Sequence, residues 1–517
     1  MEAVWISIAF IAGLLVKQLG LPPLIGYLAA GFALSGFYVD GKETLTHLSH
    51  VGVLLLLFSV GLKLRFKSLF RLEVLLGSLI HLFFLTTILY GLLYFAKGLD
   101  PKVTLIIAIA LSFSSTVVAA KILEEKRELR AFHGRVAIGI LVMQDLVAVA
   151  LLSSAGGEAP SIYAFALLGI PLLRPVFYYI IDLCGHGELF LLFGLLLALV
   201  VGGAGFEALG LSSELGALIM GAMLANHSRA SELSNTLWGL KEIFLIGFFL
   251  QIGMSGLPTV DDLFFAFSLA LLLPVKALLF FIILLLFRLR ARTAFLAGLS
   301  LATYSEFGLI VAQMGVLDSW LPQETLVTLA LAVAISFLFA APLNRAAHQI
   351  FTYIGPWLKR FELENHHPDD AAVNLGGSHV LIMGMGRVGT GAYLYLRQRK
   401  QRVVGMDSDP GKVENHRAKK RRVLYADAED SGFWEQLNTG SIYTVLLAMP
   451  DVEANILAAT QLRKAGFKGL IGATVRYKEE TELVQKAGAD FVYNYYDEVG
   501  VGFAEHIWQK MCPVEEK

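Results

Sequence analysis

Charge is scarce in this chain. Of its 517 residues only 16% are charged, and 42 Lys and Arg nearly balance 43 Asp and Glu, for a formal net charge of -1. Soluble domains carry about 25% charged residues, so an ordinary soluble protein is excluded, and with no basic excess no nucleic acid is expected as a partner. Cysteine is nearly missing. Cys184 and Cys512 stand far apart and match no metal-ligand or redox spacing, which excludes a disulfide framework and a zinc site. A basic leader region and a small-residue cleavage site are missing from "MEAVWISIAFIAGLLVKQLG", so this run is expected to be a first membrane span rather than a cleaved signal.

What the chain has instead is hydrophobic residues, 56% of the total. Runs long enough to cross a bilayer, about 17 to 25 residues each, recur from the start to about residue 354. Thirteen are expected, at 2–19, 22–38, 44–63, 72–97, 102–123, 133–155, 159–181, 187–205, 209–226, 237–255, 260–288, 292–316 and 322–354. The seventh is the weakest, with only a short apolar stretch before Arg174-Pro175. Basic residues cluster after spans three (Lys63, Arg65, Lys67, Arg71), five (Lys126, Arg127, Arg130, Arg135) and eleven (Arg288, Arg290, Arg292). All are odd-numbered exits, so the positive-inside rule puts the N-terminus outside and everything after span thirteen in the cytoplasm.

A membrane domain is therefore expected over 1–356 and a linker over 357–376, where "KRFELENHHPDDAAVNLGGS" is polar with one Pro and two Gly. A soluble domain is expected over 377–517. There, short β-type runs such as "HVLIMGMG", "QRVVGMD" and "YTVLLAMP" alternate with helix-type segments, the pattern of a doubly wound parallel sheet.

Inside the apolar stretch "GILVMQDLVAVALL" one carboxylate, Asp145, stands beside one amide, Gln144. An ionised group at the bilayer centre costs about 2.5 to 3.5 kcal/mol on insertion scales, so such a residue signals a partner or a task. Low dielectric favours the neutral form of a carboxylate, which lets one site exchange a proton for a cation near neutral pH; a Gln carbonyl adds an oxygen ligand without charge. Two other spans carry polar interruptions, "SFSSTVV" with Ser115 and Thr116, and "TYSEFGL" with Glu306 and Gly308. Their offset of seven spans fits two six-span inverted repeats with broken helices lining a midplane site. Lys276 is a second intramembrane charge and needs a partner from elsewhere. Glu306 is expected in preference to Asp145, because a fixed ammonium beside the carrier acid would oppose its protonation. Gln251 reads as a helix-packing amide.

In the soluble domain "HVLIMGMGRVGTG" places Gly384, Gly386, Arg387, Val388 and Gly389 between a strand and a helix, and Asp407 closes the next strand. This spacing is the dinucleotide-binding fingerprint, with bare backbone for phosphate and an acid for ribose hydroxyls. The acid disfavours a 2′-phosphate, so NAD(H), AMP or ATP are expected in preference to NADP, with Asp427 as a further contact. No residue pair looks arranged for hydride transfer, so the nucleotide reads as a regulatory ligand; neither an enzyme nor a metal cofactor is expected. A channel gated by the same domain would need a filter such as TVGYG, and the sequence contains none.

Taken in order, "SFSSTVV", "MQDLVAV", "GLSSELGALIMGAMLA", "GFFLQIGM", "VKALLFF", "SEFGLIV" and "GMGRVG" resemble the Kef-type potassium/proton antiporters of the bacterial cation/proton antiporter-2 group. The resemblance implies a polytopic protein of the bacterial inner membrane that exchanges K+ outward for H+ electroneutrally, with Na+/H+ exchange as the alternative. It matches Gln144 and Asp145 to the K+/H+ site and Lys276 and Glu306 to charged residues of the translocation core. Gly384, Gly386, Gly389 and Asp407 match the nucleotide site of a regulator-of-potassium-conductance (RCK, or TrkA-N) domain. A homodimer with elevator-like motion is implied as well; an ancillary subunit is not indicated. Glutathione-gated members carry an acidic loop between spans nine and ten, where this chain has "NHSRASELSNTLWGLKE", and they use a C-terminal extension not seen here. The two features that the resemblance ties to glutathione gating are thus not matched, and gating by glutathione is left open.

Overall fold

The computed structural model describes residues 2–19, 21–35, 42–62, 69–126, 128, 129, 131–155, 169, 172–254, 256–368, 370, 375–426, 428, 433, 434, 437, 439–494, 499, 503, 504, 507, 508 and 511. The chain divides into two compact units, Met1–Glu125 with His133–Asn365 and Lys126–Phe132 with His366–Lys517.

The first unit is helical. In chain order its helices are α1 (Glu2–Gln18), α2 (Pro23–Ser35), α3 (Lys42–Leu62), α4 (Leu72–Lys97), α5 (Pro101–Ser112), α6 (Thr116–Glu125), α7 (Phe132–Ala155) and α8 (Arg174–Leu183). There follow α9 (Glu188–Glu207), α10 (Ser213–Leu224), α11 (Ala230–Gly253), α12 (Val260–Ala270), α13 (Leu273–Leu286), α14 (Ala291–Leu301), α15 (Glu306–Leu317), α16 (Gln323–Arg345) and α17 (Ala347–Leu358). Among the described residues eight helical stretches are long and apolar enough to cross a bilayer, or nine when the bent pair α14–α15 is taken as one span.

Thirteen full-length spans were expected, and helix length accounts for much of the difference. α10 has 12 residues, about 18 Å at 1.5 Å per residue against a hydrocarbon layer of about 30 Å, and α2 is described over 13 residues. The expected seventh span lies largely outside the described residues. Two spans are interrupted as their polar composition suggested, at 113–115 between α5 and α6 and at 302–305 between α14 and α15, which bend by 42°. Each interruption has local causes. Ser115 Oγ accepts from Val118 N at the start of α6, and Ser305 Oγ accepts from Phe307 N at the start of α15, the N-cap chemistry that starts a new helix. The two interrupted helices approach closely because Gly308 lacks a side chain: a Cβ there would collide with the Ala110 carbonyl oxygen.

The second unit is a six-stranded parallel sheet in the order β3-β2-β1-β4-β5-β6. Its strands are β1 (Val380–Met383), β2 (Val403–Asp407), β3 (Val423–Tyr425), β4 (Thr444–Leu447), β5 (Leu470–Val475) and β6 (Phe491–Asn494). The crossover helices include α18 (Arg387–Gln398), α19 (Pro410–Ala418), α20 (Val452–Lys464) and α21 (Thr481–Lys486). β1 is wholly buried, as expected for a strand covered by helices on both faces. The strand order reverses between β1 and β4, and ligands of such sheets bind at the carboxyl ends of the strands there.

Candidate functional site

Two broken helices meeting at their breaks bring four helix ends to one place, and the ends sort charge by sign. The C-terminal ends of α5 and α14 expose carbonyls that no helical N–H satisfies. Lys276 Nζ, on α13, donates toward the carbonyls of Leu111 (3.2 Å), Ser112 (3.1 Å), Phe113 (2.6 Å) and Thr303 (2.8 Å). Its side chain is 1% exposed. The partial negative charge of about half an electron at a helix C-terminus, doubled by the second helix, offsets the buried ammonium.

The pairing of Lys276 with Glu306 expected from the sequence is therefore corrected. No ion pair joins Lys276 to Glu306 or to Asp145 among the described residues; the partners are backbone carbonyls, which a sequence does not display as charge.

The N-terminal ends of α6 and α15 carry the opposite partial charge, and both carboxylates lie there. Thr116 Oγ1, in the first turn of α6, donates to Asp145 Oδ2 at 3.0 Å. Ser115 Oγ donates to Glu306 Oε2 at 2.9 Å. Adjacent residues thus link Asp145 on α7 to Glu306 at the start of α15, and the two acids are electrostatic neighbours. Both are buried, Asp145 at 1% and Glu306 at 0% exposure.

Gln144 turns its amide to the break. Its Oε1 accepts from Ser114 N at 2.9 Å, and because a backbone N–H only donates, the orientation of the amide is determined. The oxygen expected as a neutral cation ligand is also engaged by the unwound backbone. Three buried polar atoms of this cluster, Gln144 Nε2, Glu306 Oε1 and Ser114 Oγ, have no protein partner, which leaves hydrogen-bonding capacity unfilled at the breaks.

The structure brings Gln144, Asp145, Ser115, Thr116 and Glu306 together and sets Lys276 against the opposite helix ends. Sequence reasoning missed the supports. Ser115 N donates to Thr303 Oγ1 at 3.1 Å, Tyr304 N to Ser336 Oγ at 3.1 Å, and Tyr304 Oη to Leu269 O at 2.6 Å. Thr303 and Tyr304 lie within the polar interruption and were within reach; Ser336, in an apolar stretch of α16, gave no signal. Gln251 Nε2 donates to Thr46 Oγ1 at 3.1 Å, a packing contact between α11 and α3.

In the second unit the three glycines of the turn have three separate reasons. Gly384 has φ +93°, and a Cβ would lie 2.7 Å from Ala448 O; a Cβ on Gly389 would collide with Gly384 O. These two shape the turn and seat the helix on it. A Cβ on Gly386 would meet only open space at the N-terminus of α18, where a phosphate would lie, so the residues fit a nucleotide. Arg387 and Val388 are exposed on the first turn. Asp407 is committed further than its spacing suggests, since Oδ2 accepts from Met385 N at 2.8 Å and Oδ1 from Asp409 N at 2.9 Å. It holds the turn while each oxygen keeps a lone pair for a ribose hydroxyl. Asp427 and Cys512 lie outside the described residues. No group of three or more His, Cys, Asp or Glu that could hold a metal ion occurs among the described residues.

Residues 6–345 match the sodium/hydrogen exchanger transmembrane family, and residues 380–495 match the TrkA-N domain family. The chain is 27% identical to a protein of Alkalimonas amylolytica named "Putative K(+) efflux antiporter KefB", over 98% of this chain and 81% of that one. It is also 27% identical to the Escherichia coli (strain K12) protein named "Putative cation/proton antiporter YbaL", over 94% and 92%. Among solved structures the TrkA-N domain of the E. coli inner membrane protein ybaL is similar at 20% identity, covering 25% of this chain and 95% of that one, with a TM-score of 0.24.

Proposed function

We propose that this chain, which belongs to the sodium/hydrogen exchanger transmembrane family, exchanges K+ for H+ across the bacterial inner membrane, with Asp145 taking either ion in turn. The observation that carries the reading is the sorting of charge at the paired helix breaks. Two N-terminal helix ends face Asp145 and Glu306 while two C-terminal ends close on Lys276.

A hard monovalent cation needs several oxygens in place of its water. Asp145 supplies the charge, and Thr116 Oγ1, Glu306 Oε1 and part of Gln144 Oε1 are the neighbouring oxygens. Proton binding to Asp145 removes the charge that offsets cation dehydration, so the two ions compete for one place. One exchanging acid gives one-for-one, electroneutral turnover. The relative named as a K(+) efflux antiporter supports K+ and the outward direction; Na+ is the alternative on the same scaffold.

The TrkA-N unit is a nucleotide-binding domain, and we assign it a regulatory role, with AMP or NAD(H) bound by the Gly384–Gly389 turn and Asp407. A nucleotide biases transport only if it prefers one arrangement of the protein over another, which a homodimer that changes its packing would provide. The C-terminal unit lies in the cytoplasm and the N-terminus outside.

Purified protein in sealed liposomes, with proton flux followed under imposed gradients of K+, Na+, Rb+ and Li+, tests the reading. K+-driven flux insensitive to membrane potential supports it. Flux driven by Na+ alone would replace K+ by Na+, and cation conductance without proton movement would reject exchange.

A further inference from the structure

A groove of about 430 Å³ runs along the first unit between α13, α14, α16 and α17, within the range of ligand-binding cavities. Its lining includes Pro274, Phe281, Leu299, Phe339, Leu343 and Leu358. Every lining side chain is apolar. The lining also includes Ala302, in the break between α14 and α15.

Beside Leu358 the chemistry changes. Leu358 is followed at once by Lys359 and Arg360, both exposed. On the same helix Tyr353 is 85% exposed and Trp357 58%. Exposed Tyr and Trp beside Lys and Arg at the end of an apolar helix mark the level of lipid headgroups. An occupant must therefore be apolar along its length and anionic at one end.

We propose that this groove binds one acyl chain of an anionic phospholipid, with the headgroup phosphate on Lys359 and Arg360. Two features favour an intact lipid over a free anion or a wandering hydrocarbon. The apolar lining includes Leu358, the residue next to the basic pair, so chain and headgroup are held together. The pair also lies where the chain leaves the membrane unit toward the TrkA-N domain, the side on which positive charge gathers in membrane proteins. A chain in the groove packs beside Ala302, next to the Thr303 carbonyl that accepts from Lys276, so lipid occupancy supports one wall of the helix break.

The test is native mass spectrometry of the full chain released from detergent and titrated with dioleoyl phosphatidylglycerol, dioleoyl phosphatidylcholine, or the chain-free headgroup glycerophosphoglycerol. The native chain should retain phosphatidylglycerol in preference to phosphatidylcholine and should not retain the headgroup alone. Replacing Lys359→Gln and Arg360→Gln together should weaken phosphatidylglycerol by about 30-fold, from about 1 kcal/mol per basic residue near a charged surface, and remove the preference. Leu343→Trp, which fills the groove from its side, should weaken both lipids. Equal retention of the two lipids by the native chain would overturn the proposal, as would binding of the headgroup alone as tight as that of the lipid. So would an unchanged phosphatidylglycerol titration in either folded variant. The native-chain comparison decides even if a variant fails to fold.

Discussion

The backbone N–H of Ser115 donates to Thr303 Oγ1 at 3.1 Å, so the break in one interrupted helix is tied to the break in the other, 188 residues away in sequence. The bond runs between two short segments at which the regular helices are interrupted. In hydrocarbon an unpaired backbone N–H costs several kcal/mol, so unwound backbone is tolerated only where protein satisfies it. One break supplies a partner to the other, Gln144, Ser336 and Lys276 supply further ones, and four helix ends result.

Asp145→Asn is expected to abolish cation-coupled proton flux while the protein still folds. The amide neither takes up a proton nor supplies charge to a dehydrated cation, yet it still accepts a hydrogen bond from Thr116. Flux in liposomes, together with an elution profile and melting temperature near those of the native chain, checks it; pH-dependent exchange in the folded variant would remove Asp145 from the mechanism.

Lys276→Met strands up to four buried carbonyls. At about 1–3 kcal/mol for each buried acceptor left unsatisfied, the variant should lose several kcal/mol and melt well below the native chain in detergent. Adding Glu306→Met should not restore it, because Glu306 is bonded to Ser115 and not to Lys276. Recovery in the double variant would mean that the two charges do meet.

Gly308→Ala drives a methyl group into the Ala110 carbonyl oxygen and forces the two interrupted helices apart. A cost of about 1–3 kcal/mol is expected for overpacking, with reduced exchange. Gly91→Ala is the control: a Cβ there meets nothing within 4 Å, and its melting temperature should stay near that of the native chain.

Gly386→Val should prevent nucleotide binding without unfolding the second unit, because the position is spatially open and its φ of -73° suits any residue. Asp407→Ala should do more than weaken binding, since it releases Met385 N–H and Asp409 N–H together. Two lost bonds to an ionised group at about 1.5–3 kcal/mol each should lower the stability of the turn, and Asp407→Asn should recover part of it. Calorimetry of AMP and NADH binding to the full chain, and flux with and without each nucleotide, check these. Undiminished binding by Gly386→Val would place the nucleotide elsewhere.

The amino-acid sequence by itself determined the membrane character, the interruptions, the intramembrane charges and the nucleotide-type turn. Each rests on local composition or on spacing within one element: a charge among apolar residues at 145, hydroxyls breaking a helix at 112–116, glycines between strand and helix at 384–389. Tertiary structure decided what those groups touch. Lys276 shows in the sequence as a cation needing an anion, but its partners are carbonyl oxygens at the ends of α5 and α14, which carry no side-chain signature. Asp407 shows as a ribose ligand by its spacing, yet its geometry also makes it the support of the turn. Helix length was likewise unreadable in advance: α10 stops after 12 residues inside a run that composition alone would carry across the bilayer. Periodicity and composition are properties of the chain taken in order, whereas partners for a buried charge are chosen among everything the fold brings within about 3 Å.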